Sequence, residues 1–425
     1  MSVWKIRNRE LLTGNRSRRI FIPSSLFFRY CLCWGLVLSL VLASYNGSTF
    51  SRSLASSPTP VVLTEIRGVW LTNVASGVLF SPWGINRALD QLSKLNFNTV
   101  YPVVWNRGHT FYPSTVAKPI TGQGQDPLLR VMRLGRDVLA EIVEQGHRQG
   151  LRIIPWFEYG FMAPANSQLA QRHPNWISKR SNYKKAGIAS AKSLSDRYQV
   201  WLNPLHPKVQ QLILNLIVEV VTKYDVDGIQ LDDHFGMPVE LGYDPFTVRL
   251  YQQEHQGQSP PNSPLDPEWM RWRADKISDF MGRIFKTVKS VKADCLVSLS
   301  PNPQPFAYKS YLQDWRTWVQ QGWVEELVVQ VYRKDLSGFQ AQLIQSAVQE
   351  ARQRIPVSIG ITTGTGQRPV AMKQIQQQVQ KVRDRGFDGV SFFYWETLWS
   401  YLTPESPRQR RLGFRELFPY PATKV

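Results

Sequence analysis

Asp232, Asp233 and His234 close the run Asp227-Gly-Ile-Gln-Leu-Asp-Asp-His-Phe, in which a short apolar strand (Val226, Ile229, Leu231) leads directly into two adjacent carboxylates. Strand alternation from Gln230 points Asp232 to the inner face of a sheet. Other runs end in a similar way. Glu158 follows Trp156-Phe157, Glu396 follows Tyr394-Trp395, and Trp70, Trp105, Asn106, Gln330 and Tyr332 stand at or near the ends of comparable segments. Opposed carboxyl groups flanked by rings that can stack on sugars suit cleavage of a glycosidic bond. One acid protonates the leaving oxygen while the other attacks the anomeric carbon or activates water. Each acid also has a structural use open to it. Glu158 can pair with Arg107, Glu396 can stabilise the helix that follows it, and Asp233 can hold His234 or a loop amide. Asp is also favoured in plain turns by local hydrogen bonding.

The elements that must position these residues alternate. Candidate strands run Ile66–Leu71, Thr99–Val104, Arg152–Phe157, Gly228–Leu231, Leu296–Leu299, Leu327–Val331, Val357–Ile361 and Gly389–Phe393. Helical patterns fill the gaps at Ile85–Leu95, Val138–Gln149, Val209–Tyr224, Ile277–Val291, Leu312–Gln321, Gln340–Arg354 and Met372–Arg385. Eight strands with helical crossovers predict a (β/α)₈ TIM barrel whose chemistry sits at the C-terminal strand ends. Residues 160–202 and 234–276 are too long for simple loops; they read as insertions after strands three and four that wall or cover the same face. Arg67 on strand one, Asn203 and His234 join the candidate substrate contacts. His206 reads equally as loop-fixing or binding, and His147 reads as structural.

The chain has 425 residues, 15 tryptophans and a formal charge of +19. Residues 1–44 hold seven Lys/Arg and one acid, so the remainder carries 44 basic against 31 acidic residues, or +13. That balance favours an anionic neighbourhood. No zinc-finger, RRM or basic-heptad pattern supports nucleic acid. The apolar run from Tyr30 to Ala43 follows basic residues and has the length of a secretory signal core; uncleaved, it would be a membrane anchor. Residues 45–62 read as a flexible tether, and 63–420 as the barrel domain. The expected protein is exported to the periplasm or envelope and monomeric, with a polysaccharide substrate. Three cysteines make no disulfide framework. Strand one offers no His pair for a metal, and no Walker loop, dinucleotide fingerprint or Gly-x-Ser-x-Gly elbow is present. No metal or cofactor is expected.

The ordered motifs Glu65-Ile-Arg-Gly-Val-Trp-Leu-Thr, Phe97-Asn-Thr-Val, Gly150-Leu-Arg-Ile-Ile-Pro-Trp-Phe-Glu, Trp201-Leu-Asn-Pro, Asp227-Gly-Ile-Gln-Leu-Asp-Asp-His-Phe, Trp272-Arg273 and Gln330-Val-Tyr332 resemble the glycosyl-hydrolase-like family 10 of bacterial envelope barrels. The resemblance runs from about Glu65 to about Trp399. It implies a glycoside hydrolase acting on an envelope glycan, with peptidoglycan glycan strands the best-supported substrate. A looser likeness to α-amylase barrels sets Asp232 at the nucleophile position. Gln230 stands where that pattern has arginine, however, and strand five ends without its acid. Glu158, then Glu396, are the candidate proton donors. A non-catalytic glycan-binding barrel and a membrane-tethered scaffold for anionic polymer are the alternatives.

Overall fold

The computed structural model describes residues 63–181, 199–365, 368–400 and 403–423. The expected signal or anchor segment and tether lie outside these residues, as does the middle of the first insertion.

Eight parallel strands close into a barrel: β1 (Ile66–Leu71), β2 (Thr99–Asn106), β3 (Arg152–Ile153 and Trp156–Phe157), β4 (Gly228–Asp232), β5 (Leu296–Ser300), β6 (Glu326–Gln330), β7 (Val357–Thr362) and β8 (Gly389–Phe393). Each pairs with its sequence neighbour, and β1 also pairs with β8 to shut the ring. Pro155 has no amide to give and falls at the break in β3. Gly389 meets β1 so closely, at φ +149°, that a Cβ there would lie 2.1 Å from the Ile66 carbonyl. Only glycine fits that seam.

Inside the ring, side chains stack in layers. At the N-terminal end Glu326 pairs with Arg152 and accepts from Ser298 Oγ at 3.0 Å. Above it, Trp70 stacks on Tyr101 with ring centres 5.1 Å apart and donates its indole N–H to Gln230 at 2.8 Å. Gln230 in turn donates to Ser298 Oγ at 3.0 Å, tying the two layers together. The next inward positions, Thr72, Glu158 and Asp232, form the layer at the mouth.

Both predicted insertions are present. The first contains the antiparallel pair Met162–Pro164 with Gln199–Trp201. The second holds helix Pro245–Glu254 and the start of a 25-residue helix, Pro267–Val291. Trp269 and Trp272 fall within the second insertion, before the helical pattern expected from Ile277. They lie on that helix, stacked at 5.2 Å with Tyr251 edge-on to both. Asp266 caps the helix by accepting from the Trp269 amide, so it starts ten residues before its apolar pattern becomes obvious. A further excursion after β2, with helices Ala117–Thr121 and Pro127–Met132, was not anticipated.

Arg273 anchors the second insertion. Fully buried, it donates to the carbonyls of Val239, Leu241, Pro264 and Trp269 at 2.5–3.1 Å. Arg273→Ala strands these carbonyls and is expected to cost about 2–4 kcal/mol in urea unfolding. Arg273→Lys should recover less than half, because an ammonium cannot reproduce the planar fork. Full recovery by lysine would show that charge alone matters.

Candidate active site

Two neighbouring strand ends, those of β3 and β4, deliver the three acids. Trp156 lies opposite Gln230 and Phe157 opposite Leu231, so one step further on Glu158 comes level with Asp232. The Tyr159 amide donates to Asp232 Oδ2 at 3.3 Å, fixing that juxtaposition through the backbone. Asp232 Oδ1 accepts from the His234 amide at 2.8 Å, which bends the chain back over the strand end. His234 Nδ1 then sits between two carboxylates, 3.2 Å from Asp232 and 3.1 Å from Asp233. Asp233 also accepts from Asn302 at 2.7 Å and from Gln330 at 3.3 Å, which brings the ends of β5 and β6 into the cluster.

Glu158 is held differently. Thr72 Oγ1 and Asn106 Nδ2 both donate to its Oε2, at 2.8 and 2.9 Å. Asn106 reaches inward because the β2–β3 ladder slips register between Val103 and Trp105. The pairing with Arg107 weighed from sequence does not form. That guanidinium lies over the Tyr159 ring, 5.3 Å from its centre.

Electrostatics separate the four groups. Glu158 is 4% exposed and Asp232 1% exposed. Burial pushes Glu158 up to about 8; Thr72 opposes the shift and the nearby Asp232 charge adds to it. Burial also raises Asp232, partly offset by His234. Burial works to raise Asp233 as well, but His234, Gln330 and Asn302 outweigh it and hold that carboxyl below its usual range. Burial disfavours a charged His234, yet the two aspartates win and keep it protonated well above its ordinary value. Burial and the charges of Asp233, Asp232 and Glu158 together keep the Tyr332 phenol neutral. Tyr332 therefore faces all three acids.

The surrounding rings form one cluster. Trp70, Trp156 and Phe393 meet pairwise at 6.2–6.3 Å, and Tyr332 stacks on Phe393 at 5.8 Å. On the other side Tyr159 lies 4.5 Å from the His234 ring, with Trp201 5.9 Å beyond. Trp156 Nε1 and Asn106 Oδ1 are buried without a protein partner. Asp232, Asp233 and His234 also offer ligand atoms within 4.8 Å of one another. A cation there would have to displace the proton that His234 shares with the two carboxylates.

Several residues expected at the mouth lie elsewhere. Arg67 sits at the opposite end of β1, bonded to Glu65 and to the carbonyls of Asn96 and Tyr420. The Trp105 ring is fully buried and donates to the Gly160 carbonyl. Asn203 fixes the second insertion through Asp244 and Thr247. Trp395 packs edge-on against Trp399. Glu396 accepts from Ser76 Oγ and the Gly77 amide, holding the loop after β1. Thr72, Tyr159, Asn302 and Phe393 stand at the strand ends, as expected, and belong to the cluster although none was among the candidate contacts; Trp201 joins them from the first insertion. Inward alternation from Trp70 to Thr72 and from Ser391 to Phe393 carried a usable signal for two of them.

A closed parallel barrel with buried carboxyl groups at its strand ends has the architecture of glycoside hydrolases. Residues 65–382 match the Glycosyl hydrolase-like 10 family, and the chain belongs to it. It is 25% identical over 305 residues to the glycosyl hydrolase YngK of Bacillus subtilis, matching 63% of this chain and spanning about half (54%) of that protein's length. It is 25% identical over 358 residues to the glycosyl hydrolase DigH of Escherichia coli K12, covering 70% of this chain and 74% of DigH. The glycoside hydrolase domain of PgaB from Bordetella bronchiseptica superposes with TM-score 0.61 at 13% identity, covering 86% of this chain and 100% of that domain. The catalytic domain of a Paenibacillus polymyxa β-amylase gives 0.56 at 10% identity, covering 84% and 98%. At such identities the likeness to solved structures is one of fold.

Glu158 keeps its proton in the folded chain, where the unfolded chain releases it near 4.5. Its contribution to stability is therefore full below that value and is lost as pH rises to about 8. In Glu158→Gln, the fall of Tm between about pH 5 and about pH 8 should shrink by a few degrees in thermal melts. An unchanged slope would show that Glu158 titrates normally.

Proposed function

We propose that this protein is an exported glycoside hydrolase that cleaves O-glycosidic bonds in an envelope polysaccharide, with peptidoglycan glycan strands as its substrate. The observation that carries the chemistry is the division of protons among neighbouring acids. A carboxyl that ionises near 8 stands beside an Asp–His–Asp cluster that shares one imidazolium. At neutral pH Glu158 is the proton donor to the leaving oxygen. Asp232, oriented by the Tyr159 and His234 amides, attacks the anomeric carbon or draws a proton from water. Two carboxylates, one imidazolium and one neutral acid leave a single negative charge, which favours the positive, oxocarbenium-like transition state. Trp156, Phe393 and Tyr332 offer apolar surface to a sugar ring, and Trp156 Nε1, Asn106 and Gln330 are polar partners for its hydroxyls.

The envelope assignment rests on family membership together with the basic, apolar N-terminal sequence. Among the described residues no helix is long and apolar enough to cross a membrane.

Asp232→Asn should lower the release of fragments from purified wall glycan by about 10³-fold or more. Glu158→Gln should lose as much on natural glycan, but far less on an aryl glycoside whose leaving group needs no proton. On natural glycan, wild type should show an alkaline fall in kcat/KM near pH 8, and the residual rate of Glu158→Gln should lack it. Mass spectrometry of products from wall glycan and, separately, from α-glucan identifies the substrate. Wild-type turnover by Asp232→Asn, or saturable glycan binding with no new reducing ends from wild type, would overturn the enzymatic reading.

A further inference from the structure

Eleven large hydrophobic side chains stand exposed among the described residues, and five of them fall in two short segments. Trp83 (71% exposed) precedes helix Gly84–Lys94 in the connection after β1. Leu128 (59%), Val131 (71%), Met132 (47%) and Leu134 (89%) lie on and just after helix Pro127–Met132, in the connection after β2. Arg133 is buried between the segments. It donates to the Ser81 carbonyl and pairs with Glu141. Leu129 on the same turn is fully buried, and Phe80 packs edge-on against Phe111. The two segments are thus clamped side by side while their apolar groups are held out into water.

Exposed apolar groups gathered in this way mark a docking site. Charge indicates the occupant. Residues 77–89 and 127–136 contain Arg87, Arg130, Arg133 and Arg136; the flanking acids Asp90, Asp126 and Asp137 are engaged by Lys94, by the Leu129 amide, and by Lys223 with Tyr224, while Arg87, Arg130 and Arg136 are exposed. A tryptophan and aliphatic tips ringed by guanidinium groups match the boundary between acyl chains and anionic headgroups. We propose that this rim docks on an anionic lipid bilayer. Both segments follow the C-terminal ends of strands, so docking brings the barrel mouth to the membrane surface. The contact is independent of residues 30–43 and of the chemistry at Asp232.

The test uses the full chain with phosphatidylcholine vesicles, with and without phosphatidylglycerol. A dye sensitive to polarity is placed at Val131→Cys in a Cys31→Ser/Cys33→Ser background; Cys295 is buried and does not react. The emission should shift to the blue with anionic vesicles and much less with neutral ones. The triple variant Trp83→Ser/Val131→Ser/Leu134→Ser should bind anionic vesicles more weakly by on the order of tenfold, with its rate on a soluble glycan unchanged. Three results would overturn the proposal. The protein could fail to bind the vesicles. It could sediment with them while the dye keeps its aqueous emission, as anchoring by the N-terminal segment alone would give. The dye could also shift with protein concentration in the absence of lipid, which would make the rim a contact between copies of the chain.

Discussion

Removal of carboxyl groups from water beside one shared cation is the constraint that organises the barrel mouth. Desolvating an unpaired carboxylate is expensive enough that the group keeps its proton instead. His234 bonds to Asp232 and Asp233 and so supports charge on that pair. Glu158, level with Asp232 on the neighbouring strand, receives hydrogen bonds from Thr72 and Asn106 but no cation bonded to it, and it stays protonated to about 8. The difference between the acids is therefore one of partners rather than of residue type. An arginine in place of His234 would support charge more broadly and weaken the asymmetry that a general acid needs.

The layer beneath makes that asymmetry durable. Arg152 is a strong cation close to the barrel axis, but Glu326 and Ser298 engage it or its partner at the far end. Gln230 lies between that ion pair and Asp232, accepting from Trp70 and donating to Ser298. Because it is neutral, it passes orientation upward without passing charge. The α-amylase pattern has arginine at this position; here such a residue would lie directly below Asp232 and depress both buried acids. The glutamine and the raised Glu158 are two sides of one arrangement.

All eight barrel strands were legible in the sequence, several to within a residue, because buried parallel strands are short, apolar and β-branched or aromatic. Asp232 and Glu158 were legible for a related reason, since period-two alternation carries from a strand into the residue after it. The signal failed where local geometry broke that period. A register slip after Val103 turns Asn106 inward and commits Trp105 to the Gly160 carbonyl. Arg67 was placed on the correct strand but at the wrong end, since a motif gives no depth along the barrel axis. Glu396 follows its strand as Glu158 does, yet a short helix begins at Trp395 and turns its carboxylate toward Ser76 and Gly77. The division of protons among four groups could not be read at all, because it depends on burial and on partners from six different strand ends.

The sign of charge differs between the surface and the strand ends, and this bears on which part of a polymer the mouth can hold. The chain is basic overall, and the described rim near Trp83 and Val131 adds the exposed Arg87, Arg130 and Arg136. At the strand ends, by contrast, the cluster carries an excess of negative charge once Glu158 holds its proton. An anionic polymer or lipid is thus drawn to the outside of the barrel, while an anionic group placed against Asp232 would meet repulsion at low dielectric. The ring positioned for cleavage must then carry no negative charge around its anomeric carbon. Anionic groups of the same polymer are better accommodated at the periphery, where guanidinium groups remain exposed to water.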